Sequence, residues 1–378
     1  MKVSCLQENL AKGLAVVGRA VATRSTLPMA SNILLASDGP RLKLAATNLE
    51  IGITTWVGAK VEQEGMVAVP ARLLSEFVSS LPAERIELSL NPRNRTLTVR
   101  CARYEANIRG ADPDDFPPLP TVTDEPTTTI EPQTLHDAIG QVAFAAATDD
   151  TRPALAGVLA SFDQDTLTLA AADGYRLAVR RLPLATPVAE KVDIIVPART
   201  MQELGRLAAD EEEAVEVAIA PNRGQVLFHG NNVDLVSRLI DANFPNYTQI
   251  IPTRYTTRAL VNTAEFLKAA KLAFLFARDA ANIVRVQLKP GEEELQPGSM
   301  VVSAAATDVG DNASEMDVVA EGNATQIAFN AKYLLDLLAV IGTGQVALEV
   351  TSPSSPGVIK PVGDEGYVHV IMPMHVAK

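Results

Sequence analysis

Cysteine is nearly absent: Cys5 and Cys101 are the only two in 378 residues. Two thiols cannot build a disulfide scaffold, and a lone pair in a chain without export features reads as reduced. No apolar run approaches the roughly 18 residues that a membrane-spanning helix requires. From Met1 to Leu10 polar side chains come before any apolar stretch long enough for a signal peptide, so the expected location is cytoplasmic, without a membrane partner. The four histidines, His136, His229, His369 and His375, form no His-x-x-x-His or Cys-His arrangement, so no metal site is expected. Neither a Gly-x-x-x-x-Gly-Lys-Ser/Thr loop nor a Gly-x-Gly-x-x-Gly turn occurs, which leaves a nucleotide cofactor unmotivated. Acidic residues are plentiful, but nothing singles out a pair for acid/base work. The expectation is a protein that is not an enzyme and needs no cofactor. Basic residues are also in deficit, 33 against 45 acidic for a net charge of −12. That total argues against nucleic acid, because phosphate binding needs clustered Lys and Arg.

What is present is a long internal repeat. Val196-Pro-Ala-Arg199, continued by Met201, Leu204 and Leu207, has an earlier copy at Val69-Pro-Ala-Arg72, continued by Leu73, Leu74, Phe77, Val78 and Leu81. A third version, Phe329-Asn-Ala-Lys332, runs on through Tyr333, Leu334, Leu337, Leu338 and Ile341. In each, apolar residues recur at helical spacing after an N-terminal breaker. The copies are 127 and 133 residues apart, far beyond solenoid periods of roughly 20 to 50 residues, so the repeating unit is a domain. Thr47-Asn48, Ala172-Asp173 and Thr307-Asp308 mark a second equivalent position in the same register. Three domains are expected, at 1–120, 128–252 and 253–378, with breaker-rich linkers between them.

Each domain reads as α+β, with two helices over roughly eight strands that are antiparallel because hairpins join them. Helices are predicted over 6–24, 70–81, 133–148, 197–209, 264–278 and 330–341. Together these segments carry +4, leaving −16 for the remainder. If the helices share a surface, an acidic protein presents a mildly basic face; ordinary solvated helix faces are the alternative. Three similar domains in series leave a complementary surface at each chain end, a geometry that closes by pairing with a second copy.

The threefold repeat, Arg24-Ser-Thr-Leu-Pro28, Ala172-Asp-Gly-Tyr-Arg-Leu-Ala178, Phe244-Pro-Asn-Tyr247 and the terminal Val370-Ile-Met-Pro-Met374 together resemble the bacterial sliding clamps, the beta subunits of DNA polymerase III. The likeness runs over essentially the whole chain. It implies the DNA clamp fold: a homodimeric ring of six domains, helices lining a hole for duplex DNA and sheets forming the outer wall. A ring that slides cannot read bases, so it needs diffuse attraction to phosphate and is held by topology. The implied partners are double-stranded DNA, the polymerase III alpha subunit, the clamp-loader complex and other clamp-motif proteins of replication and repair.

Lys12, Arg19, Arg24, Arg72, Arg199, Arg206, Lys268, Lys271 and Lys332 lie on or beside the proposed helices and are the candidates for the DNA-facing lining. A solvated surface charge is the alternative reading of each. Carried over position by position, the resemblance implies a pocket for short partner peptides. Its middle-domain residues are Leu155, Ala172, Gly174, Tyr175, Arg176 and Leu177, followed by Pro245, Gln249 and Ile250. The third domain supplies Asn330, Tyr333, Val370, Met372, Pro373 and Met374. Methionines suit a surface that accepts several peptides, and Arg176 is expected to fix a peptide carbonyl or carboxylate. An apolar terminal strand packed in the core is the alternative for Met372 and Met374. Gln249, where the family often has Arg, and His375 depart from the family pattern and lower the positive charge at the rim. For ring closure the candidates are Phe274, Leu275 and Phe276 on one side and Ala106 and Ile108 on the other. A docking scaffold that binds peptides without encircling DNA is the rival reading.

Overall fold

The computed structural model describes residues 1–22, 27–119, 126–149, 151–220, 224–278, 281–291 and 297–375. Six α-helices lie among them: α1 (Gln7–Gly18), α2 (Ala71–Ser79), α3 (Pro132–Val142), α4 (Ala198–Ala208), α5 (Thr263–Ala277) and α6 (Ala331–Val340). All six fall inside the predicted segments or within a residue of them. Two end early. The segment expected to run to residue 24 closes at Gly18, where the N–H of Arg19 donates to the carbonyl of Val16 and that of Ala20 to the carbonyl of Val17, and the chain tightens into three-residue turns. The segment expected to reach residue 148 stops at Val142 and continues as a 3-10 turn, Ala143–Ala145.

Each helix follows a strand and is followed by at least three more, so the chain spells strand, helix, three strands six times over. The first half-repeat adds a short extra strand, Lys60–Gln63. Every strand pairing is antiparallel. The buried stripes are the ones helical spacing demands: Leu10, Leu14 and Val17 on α1, Ala71, Leu74 and Val78 on α2, and Leu334, Leu337 and Leu338 on α6.

The chain divides into two compact units whose limits differ from the sequence repeats. The first holds Met1–His136, Leu184–Val188 and Gln202–Leu239. In it α1 packs on α2, beside a five-stranded sheet that ends at Tyr104–Arg109 and an eight-stranded sheet. The eight-stranded sheet is continuous because Ile51–Gly58 pairs with Val233–Arg238. The second unit holds Asp137–Pro183, Ala189–Met201 and Ile240–Lys378. There α5 packs on α6 beside a twelve-stranded sheet, in which Arg176–Pro183 pairs with Tyr367–Ile371. These two pairings draw the halves of the middle repeat into different sheets.

Cys5 and Cys101 are free and buried. Both lie opposite Ile86, on the strands either side of it, so about 10 Å of sheet separates their backbones, beyond the reach of a disulfide. Burial also pushes the Cys5 thiol up to about 11.

Candidate functional site

Strands Thr166–Ala172 and Arg176–Pro183 meet at a turn that fixes the head of the site. The Asp173 carboxylate accepts the N–H groups of Tyr175 and Arg176 at 2.8 and 3.0 Å. Gly174 takes φ +94°, a backbone conformation that L side chains rarely adopt, so glycine is favoured there. The turn at Asn48 uses the same device, Oδ1 accepting from Glu50 and Ile51. That agrees with the equivalence expected from Thr47-Asn48 and Ala172-Asp173.

Beneath the turn, Ala172, Leu177 and Val370 belong to one buried apolar cluster, with Leu155 and Ile250 packed against it at half burial. Five of the expected peptide residues are therefore brought together. Pro245, Gln249, Gly174 and Tyr175 are exposed around them, Tyr175 at 60%. The final strand ends at Ile371, so Met372, Pro373 and Met374 are an irregular, half-buried tail and not a core strand. Backbone bonds pin that tail: the N–H of Met372 donates to Tyr175 at 2.8 Å and that of Met374 to Ala328 at 2.8 Å. Asn330 caps α6 by accepting from the N–H of Lys332 at 3.0 Å.

Arg176 is occupied differently from expectation. Its side chain is 9% exposed, and all three nitrogens donate within the protein. Nε reaches Asp173 at 3.1 Å, Nη1 reaches Asp336 on α6 at 2.7 Å, and Nη2 reaches the Phe144 carbonyl at 2.6 Å. The guanidinium also lies 4.5 Å from the centre of the Tyr333 ring and 5.1 Å from that of Phe144. It is the post to which Tyr333 and α6 are tied, with no nitrogen left free of a partner to take a peptide carboxylate alone. Phe144, Asp336, Val179, Val358 and Tyr247 complete the surroundings and were missed by sequence reading, apart from Tyr247 in its quoted motif. Asp336 could have been found: it stands one helical turn after Tyr333 and shares its face.

Of the cations expected on a basic lining, Arg24 lies outside the described residues. Lys12, Arg72, Arg199, Arg206, Lys268, Lys271 and Lys332 are exposed on helices α1, α2, α4, α5 and α6, whereas α3 contributes none. Arg72 pairs with Glu76 at 2.7 Å, and Arg206 and the half-buried Arg19 both face Glu203. Lys12, Arg199, Lys268, Lys271 and Lys332 have no ion pair with a described residue.

Two of the strands with an unpaired side carry or adjoin the residues expected at ring closure. Tyr104–Arg109 pairs only with Thr96–Cys101; Ala106 on it is half-buried, and Ile108 is 4% exposed in its own sheet. Gly310–Gly322 pairs with Gly298–Ala306 from Gly310 to Val318, and only Val319 to Gly322 meet a strand on the other side. Next to it, α5 leaves Leu272 and Leu275 41% and 50% exposed, with Phe274 and Phe276 half-buried. Among the described residues no cluster of three or more His, Cys, Asp or Glu could hold a metal, and no helix is long and apolar enough to cross a membrane.

Comparison with known proteins bears on these surfaces. Residues 1–120, 129–246 and 248–375 match, respectively, the N-terminal, central and C-terminal domains of the DNA polymerase III beta subunit. The beta sliding clamp of Synechococcus elongatus is 32% identical over 381 aligned positions, covering all of both chains. That of Bacillus subtilis is 32% identical over 386 positions, 99% of each chain. The crystal structure of the DNA polymerase sliding clamp from Bacillus subtilis superposes with a TM-score of 0.93 at 30% identity, over 100% of each chain.

Proposed function

Because the chain belongs to the DNA polymerase III beta subunit family, the beta sliding clamps, we propose that two copies close into a ring that encircles duplex DNA. The ring slides without reading sequence and tethers the replicative polymerase. The observation that carries this reading is the pattern of filled and unfilled strand edges. In each half-repeat the last strand lies at the end of that half-repeat's own run of consecutive paired strands. Two such ends are joined within the chain, Ile51–Gly58 to Val233–Arg238 and Arg176–Pro183 to Tyr367–Ile371. In both, a first-half strand meets the second-half strand of the next repeat. The same rule leaves Gly310–Gly322 of the third repeat wanting the Tyr104–Arg109 position of a first repeat, which only a second copy can supply. Charge supports the match: Asp311, Glu315 and Asp317 are exposed on one edge, Arg103 and Arg109 at the other. Repeats at 1–120, 128–252 and 253–378 are the modules so joined.

The exposed cations on the helices provide a diffuse positive field for phosphate, and the acidic remainder keeps the outer surface from competing for DNA. The apolar patch headed by Tyr175, floored by Leu177 and Val370 and flanked by Met372 and Met374, receives a short linear peptide. Arg176 serves it from behind by holding Tyr333 in place. The polymerase alpha subunit, the clamp loader and other clamp-motif proteins use this one patch in turn, each placing an apolar side chain there. The protein acts in the cytoplasm as a non-catalytic processivity factor.

The test is retention on loaded DNA. A clamp held by topology stays on closed circles and runs off linear DNA with free ends. Equal loss from both, with peptide binding intact, would replace the ring with a docking scaffold.

A further inference from the structure

Glu203 on α4 is 7% exposed, and its two oxygens address two different arginines. Oε1 accepts from Nη1 of Arg206, three residues on, at 2.6 Å. Oε2 lies 3.8 Å from Nε of Arg19, the C-cap residue of α1. Neither Oε2 nor Nη1 of Arg19 has a hydrogen-bond partner, although both atoms are buried. A buried carboxylate is costly unless cations compensate it, so its place between two guanidiniums fixes theirs in return. The trio carries a net charge of +1 where two free arginines would carry +2. By contrast Lys12, on the same helix as Gly18 and Arg19's cap, projects unpaired into solvent.

The arrangement bears on sliding. A guanidinium free to grip phosphate through a two-pronged charged hydrogen bond makes a strong, oriented contact. Such contacts must break at every step along the duplex. We propose that Glu203 is an internal stand-in for a DNA phosphate, engaging Arg19 and Arg206 so that they add to the positive field without gripping the backbone. This rests on the clamp reading above. Glu203 is a positioning residue whose loss strengthens DNA binding, the opposite of what losing an ordinary structural contact does.

Five variants of the full-length protein test this on a short linear duplex, Lys12→Gln serving as the measure of losing an unengaged cation, with binding measured against salt and with melting temperature and dimer size recorded for each. Glu203→Gln keeps the shape and removes the charge. It is expected to raise affinity at low salt by about tenfold and to steepen the slope of log K against log salt by about 0.9 for each phosphate newly contacted. Arg206→Gln alone is expected to change affinity less than twofold, because that arginine is already engaged, yet in the double variant it removes most of the gain. Lys12→Glu with Lys268→Glu is the control for the clamp reading and weakens binding. An unchanged or weaker affinity in folded Glu203→Gln overturns the stand-in role, as does a loss in Arg206→Gln matching that of Lys12→Gln. If the lysine reversals weaken binding while Glu203→Gln does not strengthen it, only this inference fails. If none of the variants changes binding, the clamp reading itself fails.

Discussion

His369 is fully buried, its ring stacked on Phe144 with centroids 5.6 Å apart and Nδ1 3.3 Å from the Tyr367 hydroxyl. Its Nε2 has no partner. Burial first, and then the positive charge of Arg176, pull its pKa down to about 3. In the unfolded chain the ring titrates near 6.5, so a proton taken up below that pH favours unfolding. The neutral ring's contribution is complete above about pH 6.5 and is lost as pH falls toward 3, at up to about 1.4 kcal/mol per pH unit. Melting temperature followed from pH 7 to pH 5, before most carboxylates titrate, should fall in the wild type and stay flatter in His369→Phe. Parallel curves would mean that His369 accepts its proton inside the fold. The importance of this ring is not readable from sequence, which shows only that His369 belongs to no metal motif. Arg176 was found by its motif, but its task was not, because Asp336 and Phe144 stand 160 and 32 residues away. A motif locates a side chain without saying what distant groups will consume its hydrogen bonds.

Helix α6 borders the apolar patch proposed to take peptides, and its side chains are tied to Arg176 there. Tyr333 lies against Arg176, and Asp336 binds Nη1 of the same guanidinium with side chains 9% and 32% exposed. Removing Asp336 leaves a largely buried guanidinium short of one partner, a loss of roughly 1 to 3 kcal/mol for a buried charged hydrogen bond. Asp336→Ala is therefore expected to weaken a polymerase-derived peptide about tenfold by fluorescence anisotropy, although Asp336 lies behind the apolar patch. Dimer size should be unchanged. Full peptide affinity would show that α6 needs no such anchor. The helices themselves were legible because burial of one face imposes a 3.6-residue period on the sequence. Their ends were less so. α1 stops at Gly18 through backbone bonds that carry no side-chain signature, and the sixfold strand-helix-strand unit shows in the letters only as a threefold one because the two halves of each repeat share folding pattern without sharing letters.

The repeats in the sequence and the compact units in space divide the chain differently, and the difference explains how modules become one assembly. Sheets that run from one repeat into the next make each junction a row of backbone hydrogen bonds with side chains packed on it. The junction left to a second copy should be built the same way. On one side it has the open edge of Gly310–Gly322 and the exposed Leu272 and Leu275 of α5; on the other it has Tyr104–Arg109, with Tyr104 58% exposed. Apolar side chains at such an interface contribute about 25 cal/mol per Å² buried, whereas an unpaired carboxylate placed there must be desolvated. Leu275→Asp also adds negative charge beside Asp311, Glu315 and Asp317, already exposed along that edge. Leu275 is half exposed in the single chain, so its replacement should leave the fold intact. Light scattering is expected to give a dimer for the wild type and a monomer for Leu275→Asp at micromolar concentration. Retention on circular DNA should then vanish while peptide affinity, which depends on one chain alone, stays within about twofold. A variant that remains dimeric and stays on circles would place the closing contact elsewhere on the molecule. A monomer that still stays on circles would mean that the grip on DNA is not topological.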